Sequence, residues 1–346
     1  MPFRYGDPHP DPVALQARRE QTARRFATHY RDVLREARRL YWTGGDDTFA
    51  AFNLFDTERA NICQGQAWSA RHGHKGPDVA ELCRDYALSE VNILQLRLTP
   101  QERICWLEAA FEACRKIEDQ LGQCDAKVCL GNAYLDLGTT DEAIDSFQAA
   151  LAHAADSWKK AQILGRLGAA YYSLENATEA RDCYEAALSM MGGADRRLRG
   201  QLLGSLGAAH IALLNPPEGI RCYRESLDIA RELRDVVSEM RVSGYLGNAL
   251  RFWRGGEQLQ GAIDLLCTSV RLALTIGDQH VAAESARHLV GALKLAHPHK
   301  VEGLCDRAKL ALTLLTELGD DPKADSVRTM LAEWRGEVLP SCPDTA

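Results

Sequence analysis

The chain has 346 residues, of which 46% are hydrophobic and 26% charged, and its formal net charge is −7. That balance belongs to a folded chain rather than a disordered one, and the negative sign gives the whole no electrostatic reason to seek nucleic acid or an anionic membrane. Met1 to Pro12 holds no apolar run of signal-peptide type, and no stretch approaches the ~18 uninterrupted apolar residues of a membrane span. Eleven cysteines are scattered without a CxxC pair. Most stand where a helix wants a small apolar residue, as Cys183 and Cys222 do before a Tyr, so they read as reduced packing thiols and point to a cytoplasmic location.

In chain order, Asp11-Pro12 opens a long amphipathic helix that should end near Trp42-Thr43-Gly44-Gly45. It carries Arg18, Arg19, Arg24, Arg25, Arg31, Arg35, Arg38 and Arg39. These could dock an acidic surface or nucleic acid; the reading preferred here is a solvated face whose aliphatic stems cover apolar neighbours. A second helix follows, with Leu54 to Ile62 and then Gln64-Gly65-Gln66-Ala67-Trp68. Thr99-Pro100-Gln101-Glu102 is a capping box that starts another helix.

From about residue 124 the sequence becomes self-similar. Leu130-Gly131-Asn132-Ala133-Tyr134 returns as Leu167-Gly168-Ala169-Ala170-Tyr171, as Leu206-Gly207-Ala208-Ala209-His210 and as Leu246-Gly247-Asn248-Ala249-Leu250. A fainter copy is Leu289-Val290-Gly291-Ala292-Leu293, and the spacings are 37, 39, 40 and 43 residues. Thirteen residues after the first three leucines come Ala143-Ile144, Ala180-Arg181 and Gly219-Ile220; in the fourth copy Ala262-Ile263 comes three residues late, with the extra residues near Arg254-Gly255-Gly256. An aromatic follows at Phe147, Tyr184 and Tyr223, replaced by Leu266 in the fourth copy. Small residues at Gly131 and Ala143 let two antiparallel helices approach, and the leucines and aromatics should fill the groove between one pair and the next. Asn176-Ala177-Thr178-Glu179 and Asn215-Pro216-Pro217-Glu218 place an Asn cap three residues before a Glu.

Two helices per unit, a small residue on each and an aromatic on the second resemble the tetratricopeptide-repeat (TPR) family. The resemblance implies an all-α fold, a right-handed TPR superhelix of antiparallel helix pairs with a helical N-terminal extension. The expected layout is an N-terminal region over 1–98, a degenerate half-repeat over 99–123, about five repeats over 124–320, and a capping helix and tail over 321–346. The long period suits the subclass with extended helices found in kinesin light chains and many bacterial signalling proteins. Ile104 to Phe111 looks like the second helix of a further unit, with its partner near 77–97. The N-terminal third, with Arg97-Leu98 and Pro100 to Arg103, resembles the segment that joins the nucleotide-binding module to the TPR array in bacterial NB-ARC-type STAND proteins. No GxxxxGK[ST] occurs, so no phosphate-cradling loop can be proposed, and the chain reads either as a free-standing sensor-like half or as a fragment whose ATPase lies elsewhere.

Three weaker signals are weighed against structural roles. Glu112-Ala113-Cys114-Arg115-Lys116 is similar to the string around a caspase nucleophile, but it lies inside a helical pattern rather than at a strand end, so Cys114 reads as structural. His72-Gly73-His74 and His297-Pro298-His299 lack further ligands at metal spacing and read as turn histidines, and Cys124 and Cys129 read as packing residues.

In a TPR superhelix the first helix of each pair lines the concave face. Helical spacing from the small position then puts Val128, Asn132, Leu135 and Asp136 inward, followed by Gln162, Ala169, Tyr172 and Ser173. The third unit contributes Gln201, Ala208 and Ile211, the fourth Arg241, Asn248, Arg251 and Phe252, and the fifth Glu284, Arg287, Gly291 and Lys294. In peptide-binding members of the family an Asn directly after the Gly grips the ligand backbone, a role the resemblance carries to Asn132 and Asn248 alone. An amide both donates and accepts, which suits an extended peptide. Arg241, Arg251, Arg287 and Lys294 are basic, partly offset by Glu284. The Lys/Asn set of the chaperone-type carboxylate clamp is not present. The expected function is a non-enzymatic sensor scaffold that holds a protein or peptide, with no cofactor, metal or nucleic acid. The alternatives are a small-peptide receptor of the quorum-sensing TPR type and, below it, a caspase-like protease component. Self-association and a separate NTPase or protease effector chain stay open.

Overall fold

The computed structural model describes residues 11–43, 46–88, 91–192, 195–253, 258–296 and 304–335. Within them the helical periodicity is realised as sixteen α-helices, and no strand occurs among the described residues. The contacts divide the chain into two compact units, Met1–Leu174 and Glu175–Ala346. The division falls inside the second repeat.

The first unit holds α1 (Pro12–Thr43), α2 (Asp46–His72), α3 (Pro77–Leu88), α4 (Val91–Arg97), α5 (Pro100–Lys116), α6 (Gln120–Leu137), α7 (Thr140–Ala152) and α8 (Ser157–Ser173). The half-repeat partner expected near 77–97 is α3, which packs on α5, whereas α4 is a separate short helix. Ala80, Cys83 and Ala113 form the close seam of that pair. Leu34, Phe55, Ile62, Tyr86, Trp106 and Leu130 share one core, so the N-terminal helices and the first repeat helix are packed as one body. Two polar devices fix its register. Gly65 lacks the side chain that would collide with the Tyr86 hydroxyl, and that hydroxyl donates to the Ala27 carbonyl at 2.6 Å. Asp85, 8% exposed, accepts from Arg31 at 2.9 Å, Arg35 at 2.8 Å and Arg84 at 2.9 Å. Two of the eight arginines of α1 are thus spent on one buried carboxylate.

The second unit holds α9 (Ala177–Met190), α10 (Arg196–Ala212), α11 (Pro216–Glu232), α12 (Val236–Phe252), α13 (Leu259–Ile276), α14 (Gln279–Leu295), α15 (Leu304–Glu317) and α16 (Asp321–Arg335). Among the described residues α13 alone is long and apolar enough to cross a membrane, with mean hydropathy 1.3 over 18 residues. Its apolar face is spent in the core instead: Ile263, Leu266, Val270 and Ala273 are all 0% exposed. α16 closes the stack by inserting Val327, Met330 and Leu331 into the same core.

The first, third and fourth repeats are built on contact between a first-helix glycine and a second-helix side chain. A methyl group on Gly131 would stand 2.4 Å from the Phe147 ring, one on Gly207 2.7 Å from Tyr223, and one on Gly247 2.7 Å from Leu266. The backbones touch as well, since a methyl on Gly219 would meet the Gly207 carbonyl oxygen at 3.0 Å. The rings therefore seat on their own partner helix, rather than only filling the space toward the next pair; Tyr223 does both, lying 6.0 Å from the Tyr245 ring of α12.

Capping differs from expectation at two sites. The Thr99/Glu102 box forms, with Thr99 Oγ1 accepting from the Glu102 amide at 3.2 Å and Glu102 Oε2 accepting from the Thr99 amide at 2.8 Å. Asn176 and Asn215 occupy N-cap positions but make no capping bond. Their ψ angles of 73° and 68° fall below the 85–169° of the aspartates that do cap the repeats, and Glu218 turns to Arg221 instead of reaching back. The first helices of the five repeats are capped by aspartates: Asp119, Asp156, Asp195, Asp235 and Asp278 each accept an amide of the first turn at 2.7–3.2 Å. Each lies eleven residues before the leucine of a repeat string.

The turns after several helices need a left-handed residue, supplied by Gly138, Gly192, Gly277 and Gly319 in four places and by Glu118, Glu175, Leu214 and Arg234 in four others. Leu214, at φ 56° and 89% exposed, is the least suited. Leu214→Gly is expected to raise stability by a few tenths to about 1 kcal/mol, because the left-handed strain of a side chain is removed; Leu214→Val should move the other way in the same urea denaturation. Gly131→Ala should cost roughly 1–3 kcal/mol through overpacking against Phe147. Gly261→Ala, on an open face of α13 with nothing within 4 Å of the added methyl, should be neutral or stabilising by up to about 1 kcal/mol. Equal effects of the two glycine substitutions would show that the ring does not set the helix approach.

Candidate functional site

First helices of successive repeats lie side by side, α10 against α12 and α12 against α14, so their outward faces form one surface in the second unit. Arg241 and Arg287 are exposed on it, with Lys294 about two turns beyond Arg287 on α14 and Gln201 on α10. No ion pair or hydrogen bond joins Arg241, Arg287 or Lys294 to a described side chain.

The centre of this surface is where α12 meets α14. Arg251 reaches across to α14, where its Nη1 donates to the His288 carbonyl at 3.4 Å. It lies so close over Gly291 that a methyl there would be 2.3 Å from Nη1. Gly291, the small residue of the fifth repeat, therefore makes room for a guanidinium from the neighbouring first helix. Phe252, 65% exposed, stacks beside the same group with the guanidinium carbon 4.3 Å from the ring centroid. Arg251 Nε is buried without a partner, and so is Asn248 Oδ1 one turn earlier on α12. Burial, and then the charge of Arg287, hold the Arg251 pKa below its ordinary value. His288 is likewise held low, first by burial and then by Arg251 and Arg287, with Glu284 opposing from 3.9 Å. The result is a half-buried guanidinium and imidazole beside the exposed Arg287, with one carboxylate nearby, an arrangement that an anionic group from outside would relieve.

The first-unit positions are differently occupied. Asn132 Oδ1 accepts from Arg166 Nη1 at 3.0 Å, which ties α6 to α8. Asp136 accepts from Arg103 Nη2 at 2.6 Å and from Gln95 at 3.5 Å, so it compensates a guanidinium that is only 9% exposed. Val128 is buried, whereas Tyr172, Ala169 and Ser173 are exposed, the last donating to the Ala170 carbonyl at 2.7 Å. In the second unit Ala208 and Ile211 pack toward the core, Ile211 against Gly219. Sequence spacing named the face but could not show that Asn132 and Asp136 already have protein partners. Nor did it pick out His288 or the Asn248/Arg251 pair of unpartnered atoms, which depend on the reach of a long side chain between repeats.

The other candidates have structural places. Cys114 is fully buried within α5, and its thiol is pushed up to about 12 by burial and then by the Asp119 carboxylate, the opposite of what a nucleophile needs. Cys83 and Cys129 are pushed up to about 11 by burial. His72 ends α2 with Nδ1 2.8 Å from the Trp68 carbonyl. No group of three metal-binding side chains occurs among the described residues. His297, His299 and Arg254 to Gly256 lie outside the described residues, as do Gly44, Gly45 and the side chain of Trp42.

Close-packed helix pairs with a glycine under an aromatic define an all-α helical repeat solenoid. The tetratricopeptide-repeat model matches residues 122–192 and 159–232, which cover α6 to α11. Those residues are tetratricopeptide repeats, and the chain is similar to the TPR sensor half of STAND proteins. The crystal structure of RapI in its apo form is 12% identical with a TM-score of 0.56, covering 89% of this chain and 98% of its own. A STAND protein with a tetratricopeptide-repeat sensor from Pyrococcus horikoshii is 15% identical with a TM-score of 0.52, covering 88% of this chain; the chain spans 50% of that protein. At these identities the likeness is one of fold. No curated protein matches by sequence.

Because Arg251 is one of the groups that hold the His288 pKa down, Arg251→Gln should let His288 titrate at a higher pH, read from its ring proton shifts by NMR. Protonation of His288 in the wild type is disfavoured in the folded state relative to the unfolded one. Its contribution to stability is therefore complete above the ordinary histidine range and shrinks as pH falls through it. An unmoved His288 in the variant would mean that the two groups are not neighbours.

Proposed function

We propose that the chain is a non-enzymatic scaffold that holds a polypeptide on the face formed by α10, α12 and α14, with Asn248, Arg251 and Arg287 at its centre. The observation that carries this reading is the pair of buried atoms without partners, Asn248 Oδ1 and Arg251 Nε, about one turn apart on α12. An unmet buried acceptor beside an unmet buried donor is costly to a fold. An extended peptide brings both remedies: a backbone amide for Asn248 and a side-chain or terminal carboxylate for Arg251 and Arg287. Exposed Phe252 adds an apolar contact next to the charge. Tetratricopeptide repeats are in general protein-interaction scaffolds, which supports the coarse reading, while an acidic polypeptide in a reducing, cytoplasmic setting is the finer part of the proposal. Asn132, engaged by Arg166, is given a structural role and Asn248 the binding one.

Binding of immobilised short peptides of graded charge tests this. The wild type should retain peptides that carry Asp or Glu. Combined Asn248→Ala, Arg251→Ala and Arg287→Ala should weaken that retention by at least about tenfold with an unchanged circular dichroism spectrum. Equal retention by the triple variant would rule out this face.

A further inference from the structure

A second basic site lies in the other unit. Between the first half of α1 and the C-terminal end of α2 is a cavity of about 440 Å³, within the range of roughly 300–1,000 Å³ that small-molecule sites occupy. Ala23, Phe26 and Trp68, all half-buried, supply its apolar lining, and Arg18, Arg19 and Arg71 stand around them. Among the described residues no acidic side chain lines it.

Elsewhere on α1 four arginines are matched by acids: Arg24 by Asp78, Arg31 and Arg35 by Asp85, and Arg39 by Glu36. Among the described residues Arg18, Arg19 and Arg71 have no such match. Glu20, next in sequence, is committed to Lys75. Arg71 is nonetheless held in place, since its Nε donates to the Ala67 carbonyl at 3.0 Å and leaves the outer nitrogens for another acceptor. The indole is braced from behind by the His72 ring, stacked on it at 5.0 Å and 21°. The site thus has aromatic walls, one of them braced, and three guanidinium groups of one sign in a chain whose net charge is −7.

We infer that this cavity binds a small aromatic organic anion, its ring against Phe26 and Trp68 and its carboxylate, sulfonate or phosphate on the arginines. Planar guanidinium groups pair with such oxyanions in two-point fashion, and aromatic walls favour a flat apolar body. This assignment is independent of the peptide face, because none of its residues belongs to the second unit.

The test uses the full chain and a fluorescent probe, anilinonaphthalene sulfonate, with its uncharged parent phenylnaphthylamine as the control. The sulfonate should show saturable binding that is weakened at least about tenfold by the double variant Arg18→Ala, Arg71→Ala. Ala23→Trp, which fills the cavity, should abolish it. The uncharged parent should bind more weakly and be indifferent to the arginine substitutions, while Arg241→Ala with Lys294→Ala in the other unit should leave sulfonate binding unchanged. Should Ala23→Trp prevent folding, the arginine pair decides alone, since both side chains are exposed. Unchanged sulfonate affinity in the arginine double variant overturns the assignment, as does equal affinity for the uncharged parent.

Discussion

The contact of a helix backbone with the side chain of its partner, seen where Gly131 lies under Phe147 and Gly207 under Tyr223, is the constraint on which the rest depends. With a methyl group at either position the pair would have to part, and the leucines on both sides would lose the depth at which they are buried. Because the same approach recurs in the next pair, neighbouring first helices come side by side, and α12 and α14 can share a surface at all. The fifth repeat turns the device to a new use. The space over Gly291 receives the guanidinium of Arg251 where other repeats receive a ring or a leucine. A packing rule has there become a charged site.

Much of the fold was legible because that rule is written at fixed spacing. The strings from Leu130-Gly131 to Leu246-Gly247 give the pairs, and Phe147 and Tyr223 meet the glycines the pattern assigned to them. The capping box at Thr99 was legible for the same reason, being purely local. Asn176 and Asn215 were misleading because a cap needs a suitable backbone angle as well as the right side chain, and the turns before α9 and α11 stop short of the ψ that the capping aspartates adopt. The aspartates that do cap were available to the same reading, eleven residues ahead of each repeat leucine. They escaped notice because an isolated Asp before a helix is common, and only its recurrence is informative.

The candidate site was legible as a face and not as a set of atoms. Helical spacing placed Asn132 and Asn248 equivalently, yet one accepts from Arg166 and the other keeps a buried oxygen unmatched. What separates them is an arginine one repeat further on in the first case, and Arg251 diverted toward the His288 carbonyl in the second. Such outcomes turn on where the end of a long side chain comes to rest between repeats, which periodicity does not encode. Asp85 teaches the same lesson in the N-terminal helices. Its three arginines come from α1 and from its own helix, and the sequence shows their abundance without their destination.

The recurring aspartates also constrain what the molecule can recognise. A bare helix start is a patch of partial positive charge that welcomes phosphates and carboxylates. Here Asp119, Asp156, Asp195, Asp235 and Asp278 have each filled that position with a negative charge of their own. The backbone of these helices is thereby closed to anions, and discrimination among acidic visitors falls to side chains that can differ from one repeat to the next. Selectivity in this chain is therefore open to change by single substitutions that leave the scaffold untouched.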